Sequence, residues 1–545
     1  MGFRITLLIT LFAFLYGVLG FRMFDLQLRQ GEALSAQAAS LHELAGMLTP
    51  RRGSIYFTDK DGGRIPVVIN KDYPSIYAIP KEVTEPSRAA GLLAGMTGKS
   101  EGELTKILSK EDDPYEPLVK KATAEQAALI KRYDLAGIYV GDEPARFYPL
   151  GRVASHLTGF TSIIDDAYGI GAGRYGAEAK YNDELAGKPG KTRGDRLIKP
   201  KNGEDVYLTI DRNIQVQAER TIDNLIKQYG AQGGQVIVME PKTGKVLAML
   251  SKPDFDPNSY GQYEVSSFLN PSVQSVYEPG SIFKVITMSA GIDSGKITPN
   301  TTFNDPGSLT LNGKTIKNWD LKAYGTVTMT NVIEKSINTG AAFAVRAMGH
   351  DTFYDYLVKF GLKEPTEIDL PGEISGSLKP LEHDKRDINF ATAGYGQGVS
   401  VTPIRLITAV AAIANGGVLM RPYTNAESQP KVVRRVMSEE TSRQVREMMV
   451  SAVNKAEIAK IQGYNVAGKT GTAFVPNFST GGYTEQVINT YIGFAPAYDP
   501  QFIILIRLDK PAGAPLAGLT VVPTFRNLAE FVINYYGIPP DNIAR

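Results

Sequence analysis

An uncharged run near the amino terminus, ITLLITLFAFLYGVLGF at positions 5–21, constrains this chain more than any other feature. As a helix it would rise about 25 Å, close to the ~30 Å hydrocarbon core of a bilayer. Arg4 precedes the run and Arg22 follows it. A cleaved signal peptide is the rival reading. Its best small-x-small site, Ala36-Gln37-Ala38, lies far beyond the apolar run, so an uncleaved single-pass anchor is expected. Charge does not settle its orientation, because Arg4 and the α-amine stand against Arg22 and Arg29.

The remainder is too long for one core, and two or more domains are expected among the 545 residues. Its 59 basic and 57 acidic side chains nearly cancel. With no basic tract, a nucleic-acid partner is not expected. The chain has no cysteine, which excludes disulfides, thiolate catalysis and cysteine-held metals. The histidines, His42, His156, His350 and His383, lack metal-ligand spacing. No metal site is therefore expected on them.

Composition divides the chain as follows. Residues 1–22 form a short tip and the expected anchor, and 23–50 a helix continuing out of the membrane until Pro50 and Gly53 break it. Residues 51–205 alternate short apolar runs with charged helical stretches, as in a turn-rich α+β module, and end in a loop-like segment at 187–203. From 206 to 545 the texture changes. QVIVMEPKTGKVLAMLS reads as a hairpin around a Pro-Lys-Thr-Gly turn. SIFKVITMSAGIDSG, MTNVIEKSINTGAAFAVRAMG and TPIRLITAVAAIANG read as helices, and INTYIGFAPAY and QFIILIRLDK as closing strands. Strands at both ends with helices between them predict an antiparallel sheet carrying a helical cluster.

Three short motifs carry chemistry. Ser281 and Lys284 stand three apart where Pro279 and Gly280 end one segment and a helix begins. At that spacing the amine reaches the hydroxyl, and a serine needs such a base to act as a nucleophile. Ser336-Ile337-Asn338 offers a hydroxyl relay and an amide clamp. Lys469-Thr470-Gly471-Thr472 places a lysine, two hydroxyls and a glycine before an apolar segment, which suits a carboxylate. Taken singly, each is as compatible with an ordinary helix start or turn.

In this order and at these separations, the three resemble the serine acyl-transfer signature of penicillin-binding proteins and related β-lactamases. The segments YEPGSIFK, VIEKSINTG, GYGQGVSVTPIRL, AGKTGTA and VIVMEPKTGKVLAMLSKPDFDPN are similar to class B transpeptidase segments. RRGSIYFTDKDG, RFYPLGRVASHLTGF and GAEAKYNDELAGKPG resemble the non-catalytic module of that class. The resemblance spans the chain. It implies an α+β architecture of transmembrane helix, elongated pedestal (penicillin-binding protein dimerisation-like) and C-terminal serine β-lactamase-like transpeptidase domain, with no glycosyltransferase module. The pedestal shows no catalytic constellation and reads as a spacer and docking module.

The resemblance implies that Ser281 attacks the D-Ala-D-Ala bond of a peptidoglycan stem peptide while Lys284 takes its proton. Ser336 relays that proton to the leaving amine and Lys469 keeps the network poised. It further implies that Asn338 holds the peptide amide, that Thr470, Gly471 and Thr472 meet the terminal carboxylate, and that the Ser281 and Thr472 backbone N–H groups form the oxyanion hole. A neighbouring stem's amine then closes the cross-link, and β-lactams acylate Ser281. Glu278 and KNWD at 317–320 look like the septal, FtsI-type branch. The location so implied is the bacterial cytoplasmic membrane, N-terminus inside and catalytic domain outside. The implied partners are lipid-linked precursor products, a glycan polymerase and other division proteins. A β-lactamase or D,D-carboxypeptidase is the runner-up, weakened by the pedestal. A silent β-lactam sensor or scaffold is weakened by the three intact motifs.

Other patterns mislead. Residues 463–470 fit a P-loop, but Gly471 and Pro476 forbid the helix a P-loop needs. Gly171, Gly173 and Gly176 fit a dinucleotide motif without a buried strand before them. His156 is expected to be a buried hydrogen-bonding residue, and Trp319 to pack near the cleft.

Overall fold

The computed structural model describes residues 12, 14–18, 48–110, 113, 115–162, 171–193, 196–477, 481–513 and 515–542. The expected anchor at 5–21 and the juxtamembrane helix at 23–50 lie almost wholly outside that set. Among the described residues no helix is long and apolar enough to cross a membrane.

The pedestal is built on one long strand. β1 (Ile55–Thr58) pairs antiparallel with the start of β2 (Arg64–Ala78). The rest of β2 pairs with β3 (Glu116–Val119) and β4 (Ile138–Phe147). Helices α1 (Pro86–Thr97), α2 (Glu101–Leu108) and α3 (Ala124–Tyr133) supply Leu93, Leu104, Leu108 and Ile130 to a small core on Ile76 and Ile138. α3 starts on a capping box, Thr123 with Gln126, which satisfies two N–H groups reciprocally. β5 (Val206–Leu208) closes the sheet by pairing parallel with β1. The sequence boundary at 205/206 thus falls just before a strand that is hydrogen-bonded into the pedestal.

Three segments of the pedestal meet at one buried charge. Glu178, fully buried, accepts from Arg52 Nε at 2.8 Å and from Arg146 Nε at 2.7 Å. Removing the carboxylate would strand two guanidiniums in a dry site. Glu178→Ala is expected to cost about 3–5 kcal/mol, visible as a large fall in the melting temperature of the full chain; a fall under about 1 kcal/mol would show the pair to be solvated.

The C-terminal half follows. α4 (Arg212–Tyr229) begins at Asp211, whose carboxylate accepts from Asn213 N and Ile214 N. β6 (Gly233–Met239) and β7 (Val246–Lys252) form the expected hairpin. The helices α5 (Phe283–Asp293), α6 (Asn338–Met348), α7 (Pro403–Ala414) and α8 (Glu439–Ala456) come next. The strands β8 (Ala467–Pro476), β9 (Tyr483–Ala495) and β10 (Phe502–Asp509) and the helix α9 (Val521–Tyr536) end the domain. The sheet order is β7-β6-β10-β9-β8, antiparallel throughout.

Covering on both faces explains why β6 and β10 read as nearly unbroken apolar runs. Val236, Val238, Ile504, Ile506 and Leu508 pack on α4 and α9, while Ile237, Met239, Ile503 and Leu505 pack on the helical cluster. α7 is buried at every position, Arg405 included, whose guanidinium donates to Glu364 O and Pro365 O. The edge strand β8 is left facing the turn that precedes α5.

The helical stretch read at 329–349 consists of two helices, Met329–Glu334 and α6, parted by a turn. Ser336, between them, has φ +55°, a left-handed backbone that costs a non-glycine residue about 1–2 kcal/mol.

Candidate active site

Ser281 lies in the one-turn 3-10 helix Gly280–Ile282, which runs straight into α5. That spacing puts Lys284 Nζ 3.0 Å from Ser281 Oγ. Lys284 is fully buried, and Nζ also reaches Ser336 O (2.7 Å), Ser336 Oγ (3.1 Å) and Asn338 Oδ1 (2.8 Å). Lys469 enters from β8. Its Nζ meets Ser336 Oγ at 3.0 Å, Thr470 O at 3.0 Å and Thr470 Oγ1 at 3.2 Å. Ser336 Oγ therefore sits between two amines, and its left-handed backbone turns both its carbonyl and its hydroxyl toward Lys284. The strain at Ser336 is spent on that arrangement.

Burial decides the charge states. It holds Lys284 well below the ordinary lysine pKa, with the nearby Lys469 charge as a second cause. Burial alone pushes Lys469 down to about 7. A neutral Lys284 can accept the Ser281 proton while donating to Ser336 O and Asn338 Oδ1. This is the chemistry of an activated serine: nucleophile, adjacent base and a hydroxyl relay.

The remaining motif residues line the same cleft. Asn338 Nδ2 donates to Lys317 O at 2.8 Å, leaving one amide hydrogen for a ligand. Thr470 and Thr472 are half-buried on β8, and Thr472 Oγ1 accepts from Ala517 N at 3.4 Å. A side chain at Gly471 would come within 3.0 Å of Pro279 O and 3.1 Å of Ile282. The glycine thus lets the strand close on the nucleophile turn. All eight sequence-chosen residues share this one site.

Sequence reasoning missed the frame around it. Asp305 Oδ1 accepts from Thr339 Oγ1 at 2.5 Å, and Asp305 Oδ2 from Asn318 Nδ2 at 2.8 Å. Asn318 Oδ1 in turn accepts Asn338 N at 3.0 Å. This buried trio fixes the Ser336–Asn338 turn. Behind Ser281, Gly280 N donates to Gly396 O at 3.2 Å, and a Cβ on Gly396 would lie 2.2 Å from Gly280 O. Glu278 accepts from Gly398 N and from Tyr483 OH, both at 2.9 Å, tying the nucleophile turn to the start of β9. GYGQG and KNW were the available signals; periodicity gave them no role.

The decoys resolve cleanly. Lys469 lies within a strand, where no P-loop helix starts. Ala172–Arg174 is a three-residue strand paired with Phe160–Ser162, and the segment at 163–170 lies outside the described residues. His156 is buried, its Nε2 lies 3.0 Å from Ser267 O, and burial pushes its pKa down to about 4. Trp319 is not packed as expected. It is 56 % exposed, held by its indole N–H on Lys335 O. Among the described residues no cluster of His, Asp or Glu could hold a metal ion.

Comparison with known proteins places this geometry. Residues 234–530 match the family model for the penicillin binding protein transpeptidase domain, and residues 47–208 that for the penicillin-binding protein dimerisation domain. Stage V sporulation protein D of Bacillus subtilis is 34 % identical across 97 % of this chain and 86 % of its own length. Peptidoglycan D,D-transpeptidase FtsI of Escherichia coli is 30 % identical across 95 % of this chain and 88 % of its own. The crystal structure of penicillin binding protein 3 from Mycobacterium tuberculosis superposes with a TM-score of 0.70 at 28 % identity, covering 90 % of this chain and 97 % of that one.

Proposed function

The chain belongs to the class B penicillin-binding proteins and is a serine-type peptidoglycan D,D-transpeptidase, and on that premise we propose that Ser281 is the nucleophile that carries the acyl group. The observation that carries this reading is the 3.0 Å approach of Ser281 Oγ to a fully buried amine held below its ordinary pKa. Lys284 takes the Ser281 proton as Oγ attacks the carbonyl of the penultimate D-alanine. Ser336, within reach of both lysines, hands a proton to the departing D-alanine amine. Lys469 with Thr470 and Thr472 receives the terminal carboxylate. Asn338 uses its remaining amide hydrogen on the stem backbone. Backbone N–H groups of Ser281 and Thr472 meet the oxyanion, each such donor supplying about 3 kcal/mol in other acyl-transfer enzymes.

The same carbonyl position accepts a β-lactam, and the M. tuberculosis relative has been crystallised complexed with aztreonam. Intact-mass analysis of the full chain with a penicillin tests the assignment. One stable adduct per chain, absent in Ser281→Ala, is expected. Fast drug turnover without a lasting adduct would make the protein a hydrolase. Neither adduct nor turnover would remove Ser281 from the role.

We further propose that residues 5–21 anchor the chain in the bacterial cytoplasmic membrane with the catalytic domain outside, in a division complex with a glycan polymerase. The uncharged run supports the anchor, and Glu278, KNWD and the likeness to FtsI support septal work. The likeness to a sporulation protein favours a second reading, wall synthesis confined to sporulation. Depletion separates them: filamentation of growing cells supports the first, normal growth with defective spores the second.

A further inference from the structure

Trp319 is the only tryptophan in the chain, and it stands 56 % exposed beside Leu321 at 72 %. The ring is nonetheless fixed. Its Nε1 donates to Lys335 O at 3.1 Å, one residue before Ser336. Lys317 O accepts from Asn338 Nδ2 at 2.8 Å, and Asn318 Oδ1 accepts from Asn338 N at 3.0 Å. Residues 317–319 are thus laced to 335–338, and the indole stands beside the turn that carries Ser336 and Asn338. With its N–H turned inward, it offers water only apolar surface.

The field around this ledge is positive. Lys314, Lys317, Lys322 and Lys335 are all exposed, and Lys335 Nζ sits 4.4 Å over the Tyr324 ring. The nearest acids are occupied. Asp320 accepts from Tyr324 OH at 2.6 Å and from Lys322 N at 3.2 Å. Glu334 is paired with Lys455 at 2.7 Å. A rigid apolar face with exposed lysines beside it matches a peptide with aliphatic side chains and free carboxylates.

Cross-linking needs two such peptides. The donor stem has β8 for its carboxylate, so the acceptor must come in along another wall. We propose that Trp319 and Leu321, with Lys317 and Lys335, form the acceptor-stem subsite: the stem's aliphatic surface lies on the indole and its carboxylates lie by the lysines. This rests on the transpeptidase reading with Ser281 as the acylated residue. The acceptor's neutral amine attacks the Ser281 ester carbonyl. The new C–N bond forms, the C–Oγ bond breaks, and the amine proton passes through the Lys284–Ser336 cluster to Ser281 Oγ. The ledge's part is to hold the amine where water would otherwise attack.

The test reads the partition of one acyl-enzyme. With a D-Ala-D-Ala donor peptide and a tetrapeptide stem as acceptor, the ratio of transfer to hydrolysis is expected to fall about tenfold in Trp319→Ala and stay within about twofold in Trp319→Phe. Because the ratio is taken on acyl-enzyme already formed, failure of the Ser281 assignment shows separately as no acyl-enzyme. In the penicillin-acylated full chain, the same stem is expected to shift the emission of Trp319 saturably. Raised salt, or Lys317→Glu with Lys335→Glu, should weaken that binding. An unchanged ratio in Trp319→Ala, equal losses in both Trp319 variants, or emission that responds to anionic vesicles but not to the stem would overturn the proposal.

Discussion

Lys284→Met is expected to lower the rate of acylation by penicillin roughly 10³–10⁴-fold while making the folded protein more stable. Methionine fills a similar volume, so the helix and its packing have no cause to change. The chemistry has no substitute: Lys284 is the amine 3.0 Å from Ser281 Oγ, and the Lys469 contacts run to Ser336 and Thr470 instead. Stability moves the other way because burying the amine opposes its charged form. The unfolded chain protonates this lysine throughout the physiological range, so folding must give up that proton. Against this stand the donations to Ser336 O and Asn338 Oδ1, each worth about 1 kcal/mol net. The balance should favour the variant most at low pH, where the cost of the buried charge is full. Its folded pKa being depressed, the wild-type deficit is full at low pH and disappears toward the unfolded pKa of about 10.4. Thermal melts at two pH values read this directly. A variant less stable than wild type at neutral pH would make the lysine a structural cross-brace first and a base second.

What the chain showed in advance follows from the distance over which each feature is encoded. Ser281 and Lys284 sit on one helical turn, so their meeting was legible from spacing alone. The β6–β7 hairpin and the strand β10 were legible because apolar runs bounded by turn residues have few other uses. Lys469 was readable as a strand residue from the glycines and proline after it. The Asp305–Asn318–Thr339 trio was not, because its members are 13 to 34 positions apart and each looks like an ordinary turn residue alone. Ser336 was hidden for another reason. A left-handed serine leaves no mark on hydrophobic periodicity, so a turn was legible there but its backbone geometry was not. β5 looked like the opening of the catalytic half, yet its partner, β1, lies about 150 positions earlier, and only the folded sheet reveals that. Trp319 was expected to pack because tryptophan usually does; the hydrogen bond that holds its ring outward runs to Lys335 O, 16 positions away, and no local pattern encodes it.

The second large effect concerns pH. Acylation by penicillin in wild type is expected to rise on the acid side as Lys284 loses its proton, then fall as pH passes about 7, where Lys469 loses its own. The fall is assigned to Lys469 because a cation there is what meets the ligand's carboxylate, beside Thr470. Lys469→Met should lower the second-order rate constant roughly 10²–10³-fold, remove the alkaline fall, and move the acid limb upward. The last shift has a definite cause: the Lys469 charge helps depress Lys284, and without it Lys284 holds its proton to higher pH. Stability supplies an independent check. Depressing the Lys469 pKa from 10.5 to about 7 costs the fold up to about 5 kcal/mol at one unit per 1.36 kcal/mol, partly offset by three hydrogen bonds worth about 1 kcal/mol each. The proton that unfolding takes up makes wild-type stability climb between pH 7 and 10.5 relative to Lys469→Met, and below pH 7 the difference should be flat. A variant that kept the alkaline fall would place that ionisation elsewhere.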